Sequence, residues 1–115
     1  MKIKIDFVTN SSSTAYMIYN TSNEPRTLVD FALENIHLLS EFKEQYDWYN
    51  DDPRYQPGPF LESAARRNIE FAPGESEECV FGDEQGTVIG TVYDYILRDG
   101  GSSKNFSWRF HESRR

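Results

Sequence analysis

With 115 residues and a formal net charge of −7, the chain is long enough for one domain whose core needs no disulfide or structural metal. An acidic surface repels phosphate backbones, which disfavours ordinary nucleic-acid binding, and no apolar run approaches the ~20 residues that a bilayer-spanning helix needs. The single cysteine, Cys79, closes no intramolecular bridge, and the chain opens on a polar strand pattern instead of a leader-like apolar run, so a cytoplasmic site of action is expected.

The stretch 2–19 reads as a founding hairpin. Ile3, Ile5 and Phe7 alternate with Lys2, Lys4 and Asp6, the period-two signature of a strand with one wet face. Thr9, Asn10, Ser11, Ser12 and Ser13 supply turn chemistry. Thr14 to Tyr19 form the return strand, with Tyr16 and Ile18 continuing the buried side.

Residues 20–25 combine N-cap types with Pro25, so a helix is expected to begin there. From Arg26 the residues Leu28, Val29, Ala32, Leu33, Ile36 and Leu39 keep helical spacing, and no proline or glycine interrupts them before Asp52. One long helix is predicted, with Asp30, Glu34, Glu41 and Glu44 facing solvent. His37 lies beside the apolar stripe as a boundary residue.

Three prolines and Gly58 break the pattern over 46–60, so no regular element is expected there. Tyr46, Trp48, Tyr49, Tyr55 and Phe60 interleave with Asp47, Asp51 and Asp52. These rings either roof the core or form a recognition surface, since aromatic side chains bring large buried area in both roles. A short helix follows and ends near Asn68, with Arg66 and Arg67 suiting its C-terminal dipole. Ile69 to Ala72 form a brief extended piece, Pro73 and Gly74 a turn, and Glu78, Cys79, Val80 and Phe81 a strand.

The segment 87–98 carries β-branched residues, yet Ile89, Val92, Tyr93, Ile96 and Leu97 recur at i, i+3 and i+4, and Gly100 stands ready as the C-terminal cap. A helix is predicted. In the last strand Phe106, Trp108 and Phe110 alternate with Ser107, Arg109 and His111, and the aromatic face is expected to be buried. The assembled class is α+β, a single two-layer domain over 1–115 with an antiparallel or mixed sheet of about four strands covered by about three helices.

Asp6, Phe7, Val8, Thr9, Asn10, Ser11, Ser12 and Ser13 resemble the N-terminal signature of a group of small bacterial and phage proteins, in which a short basic strand leads into Phe-Val-Thr-Asn-Ser-Ser-Ser. The resemblance covers about the first eighteen residues; in those proteins the serine run is usually longer and followed by Phe, whereas Thr14, Ala15 and Tyr16 stand here. It implies a bacterial or phage origin and supplies no activity to carry over.

No constellation names a reaction. His37 and His111 are the only imidazoles, Cys79 lies among acids that would raise its pKa, zinc-ligand spacing is absent, and neither a phosphate loop nor a dinucleotide fingerprint occurs. Nothing calls for a cofactor. The acids concentrate in two bands: residues 30–52 hold seven against Lys43, and residues 70–99 hold eight against Arg98. The expectation is a small acidic interaction protein that contacts a protein partner or itself. Its contact residues are expected in Asp47, Trp48, Tyr49, Asp51, Asp52 and Tyr55, and in Glu75, Glu77, Glu78, Asp83 and Glu84. A divalent-metal enzyme using Asp51, Asp52, Asp83 or Glu84 is the rival reading, and a protein modified at Ser11, Ser12 and Ser13 a third. An uncovered edge near residues 106–110 would favour self-association.

Overall fold

The computed structural model describes residues 13–45, 52–82 and 88–114, with side chains for 14–45, 52–82 and 88–111. The predicted first strand, at 2–8, and most of the turn that follows it lie outside these residues.

Six strands and four α-helices alternate along the described chain. They are β1 (Ser13–Asn20), β2 (Arg26–Thr27), α1 (Leu28–Glu34), α2 (His37–Gln45), α3 (Pro57–Arg67), β3 (Glu70–Phe71), β4 (Ser76–Gly82), α4 (Val88–Ile96), β5 (Gly101–Ser102) and β6 (Phe106–Arg114). The main sheet has the order β4-β1-β6-β5 and is antiparallel throughout, while β2 and β3 form a separate two-stranded ribbon. Helices lie against one face of the sheet, which gives the expected two-layer α+β architecture; the sheet is antiparallel, and four helices are present because the long one divides.

That division has a local cause. Asn35 ends α1, and its buried side-chain amide donates to the Phe31 carbonyl at 3.1 Å and to Ser103 Oγ at 3.1 Å. The chain then tightens through three-residue turns, Ile36 N–H to Leu33 O and Leu38 N–H to Asn35 O, before α2 begins. A continuous helix would carry the Asn35 amide out of this position and leave it unsatisfied in the interior.

The start of the helix also differs from the sequence expectation. Thr27 is the N-cap of α1, in a reciprocal capping box with Asp30. The cap-type residues upstream fold a turn instead, in which buried Asn20 donates to the carbonyls of Glu24 and Phe71 and accepts from Ser22. Leu28 N–H then reaches Ile69 O at 3.0 Å, tying α1 to the strand ribbon.

The core is aromatic. Phe31 meets the rings of Tyr93, Phe106 and Trp108 edge-on at centroid distances of 5.5, 5.2 and 5.2 Å, and Tyr93 is met edge-on in turn by Phe60 and Phe81. Such edge-to-face contacts add to the gain from burial itself. α4 brings Tyr93 here, and its first turn is held by Ser63 of α3, whose hydroxyl accepts from Ile89 N–H at 3.1 Å. Of the predicted stripe Ile89, Val92, Tyr93 and Leu97 are buried and Ile96 is half-buried, and Gly100 closes the segment with φ +74° and its N–H on Leu97 O. Next to it, Gly101 lies under Trp108, whose ring would be 2.6 Å from an added Cβ. Phe106 and Trp108 are buried as expected, whereas Phe110 stays 40% exposed. Its ring leans edge-on against Tyr16, and the short β5 pairs only with Ser107 and Trp108, stopping before it.

Candidate functional site

Strand β1 sorts its residues between two environments. Thr14, Tyr16, Ile18 and Asn20 point toward the helices and are fully buried. On the opposite face burial declines along the strand, from buried Ala15 through half-buried Met17 to Tyr19, which is 41% exposed. The registers set the neighbours: Met17 lies between Glu78 of β4 and Arg109 of β6, and Tyr19 between Ser76 and Ser107. Together with Trp108, the residues Met17, Tyr19, Ser76, Ser107 and Arg109 line a shallow depression of about 270 Å³. Near Met17, His111 Nε2 lies 3.5 Å from a Glu78 oxygen; a shift in the β1–β6 register at Ala15 and Tyr16 accompanies this arrangement.

This open face is apolar along its middle and charged at its two sides, acidic on β4 and basic on β6. The acids belong to the edge strand of the described sheet, whose first half, with Glu77 and Glu78, is exposed, as is Glu75 just before it. Charged residues on an edge discourage unspecific strand pairing, so this band guards the edge as well as colouring the face.

The expected contact residues therefore divide. Glu75, Glu77 and Glu78 are on the surface; only Glu78 belongs to the open face, because Glu77 pairs with Ile18 on the helix side. Asp52 is occupied locally: it caps the one-turn 3-10 helix at residues 53–55 and holds the Arg54 guanidinium at 2.8 Å, and the hydrogen bonds from Arg54 keep its carboxyl below the usual range. Tyr55 is buried, stacked on Phe42 at 6.0 Å, so this ring roofs the core. Asp47, Trp48, Tyr49, Asp51, Asp83 and Glu84 lie outside the described residues, as do Ser11 and Ser12. Sequence reasoning passed over Met17, Tyr19 and Arg109, although the alternation that placed Tyr16 and Ile18 inside already put Met17 and Tyr19 on the other face.

Two polar clusters elsewhere complete the chemistry. Thr14 donates to a buried Asp94 oxygen at 2.5 Å, Tyr16 donates to the Asp94 carbonyl at 3.0 Å, and Arg98 joins both Thr14 and the Asp94 carbonyl. Burial pushes the Tyr16 hydroxyl well above its ordinary pKa. Thr14, Tyr16 and Asp94 are sealed from solvent, so the cluster fastens α4 to β1 and offers no reacting atom to a substrate. Glu34, expected to face water, instead receives the Ser103 hydroxyl, the Asn105 N–H at 2.8 Å and the Asn105 amide at 2.7 Å. Burial alone would raise its pKa, but these donors outweigh that and hold the carboxyl below the ordinary range.

Cys79 is buried against Tyr16 on the helix side, and burial, with Glu77 and Glu78 adding to it and Arg67 opposing, pushes its thiol up to about 12. Such a thiol is a poor nucleophile. Among the described residues no group of three His, Cys, Asp or Glu side chains is placed to hold a metal ion, and no helix is long and apolar enough to cross a membrane. No family model, curated protein or solved structure matches the chain.

Proposed function

We propose that this chain is an interaction domain that works in the cytoplasm by contacting protein through the open face of its sheet. The supporting observation is Tyr19, 41% exposed beside half-buried Met17 in a shallow depression of mixed polarity, with Glu78 on one side of Met17 and Arg109 on the other. Exposed aromatic and methionine side chains bordered by charge are the composition that protein contacts favour. The polar clusters are used internally, Thr14 with Asp94 inside the fold and Glu34 on the turn after β5, and the thiol is buried and protonated; these features favour binding over catalysis.

A photo-reactive residue at position 19, compared with one at exposed Glu41 on α2, tests the reading in the source cells. Crosslinks to protein from position 19, lost on Met17→Asp and weak from position 41, are the expected result. Equal yields from the two positions, or none from position 19, would refute it.

A further inference from the structure

The charges on the open face are arranged in a way that identifies one occupant. Glu78, Met17 and Arg109 form a single row across β4, β1 and β6, so the acid and the base flank the same apolar residue on opposite sides. A two-fold rotation about an axis running along β1, just above Met17, exchanges the two sides. It brings Met17 onto its own copy, and it places each Glu78 opposite the other chain's Arg109. The face is thus complementary to itself, the condition for an isologous contact.

We propose that a second copy of this chain docks face to face on this surface, with β1 over β1, Met17 and Tyr19 packed at the centre, and two Glu78–Arg109 pairs at the sides. Face-to-face sheets pack with their strands nearly aligned, which a rotation along β1 delivers. The His111 contact to Glu78 is compatible, because a carboxylate accepts from more than one donor. The proposal rests on the open face being the protein-contact surface and names its occupant.

Size sets the strength. Three strands at ~4.8 Å spacing and the part of β1 beyond buried Ala15, residues 16–20, at ~3.4 Å each make a patch about 15 Å by about 17 Å. That is small beside the ~800 Å² per partner of a standard interface. The dimer is therefore weak, with a Kd in the micromolar range, and the side pairs make it sensitive to salt.

Sedimentation equilibrium on the intact chain tests this with two charge reversals, Glu78→Arg and Arg109→Glu. Each variant alone sets like charges opposite each other twice and is expected to be monomeric at concentrations where the wild type dimerises. An equimolar mixture of the two restores both attractions and is expected to sediment as a heterodimer. Circular dichroism confirms that each variant is folded; should one not fold, the wild type's own salt dependence supplies the test, with dissociation expected between about 50 and 500 mM salt. A wild type that stays monomeric at about 500 μM, single variants that dimerise as it does, a mixture that stays monomeric, or a salt-insensitive dimer would overturn the proposal. Crosslinks from position 19 to a different protein, with a monomeric wild type, would overturn it while leaving the interaction reading in place.

Discussion

The two faces of β1 are built from the same strand and follow opposite rules. Toward the helices Tyr16 and Ile18 are fully buried, Tyr16 against the rings of Phe81 and Phe110, and the hydroxyls of the strand are hydrogen-bonded, Thr14 to Asp94 and Tyr16 to the Asp94 carbonyl. On the other side Met17 and Tyr19 remain partly open, with charges only at the margins. Stability is concentrated on one face, which leaves the other free to hold apolar groups that contribute little to folding. A surface that carries apolar groups without needing them for the fold is one available for contact.

Mutations should separate the faces by the size of their effect. Phe31→Ala removes the ring that meets Tyr93, Phe106 and Trp108 and is expected to cost about 3–5 kcal/mol in chemical denaturation; a loss below about 1 kcal/mol would show that the helix side is not the centre of the core. Thr14→Val keeps the volume but leaves the buried Asp94 oxygen without its hydroxyl donor, so about 1–3 kcal/mol is expected in the same assay. Tyr19→Ser is expected to shift folding stability by no more than about 0.5 kcal/mol while weakening any contact that the open face makes.

A pH titration sharpens the comparison from a third position. Glu34 titrates from 4.5 in the unfolded chain, and its folded value is lower because Asn105 and Ser103 donate to the carboxylate. The stabilisation is thus complete above pH 4.5 and is lost as pH falls through the folded value. Glu34→Gln should be less stable than the wild type at pH 7, and the gap should narrow in acid. A gap that does not change with pH would mean that the carboxylate is not what binds the turn after β5.

Much of the helix side was legible in the sequence, because periodicity reports burial directly. The stripe of Ile89, Val92, Tyr93, Ile96 and Leu97 identified α4 despite its β-branched residues, and the alternation of Phe106, Trp108 and Phe110 identified β6, although Ile96 is only half-buried and Phe110 stays exposed. The break at Asn35 was not legible, since asparagine is tolerated within helices and the partner that fixes it, Ser103, is 68 positions away. For the same reason Glu34 looked like a solvent-facing acid. Asp52 and Tyr55 were read by composition as contact residues, but composition does not show that Arg54 takes one and Phe42 the other. The open face was half legible: strand alternation placed Met17 and Tyr19 together, while the pairing that puts Glu78 and Arg109 on either side of Met17 depends on the strand order β4-β1-β6.

The most direct test compares two neighbouring residues of β1. The sequence has two methionines, so selective methyl labelling gives Met17 a well-isolated signal, and isoleucine labelling reports Ile18 on the other face. The Met17 methyl is expected to shift or broaden, on raising the protein concentration or in an extract of the source cells, while Ile18 holds its position. A Met17 signal unchanged in every condition, or an Ile18 signal that moves instead, would contradict a contact made through the open face.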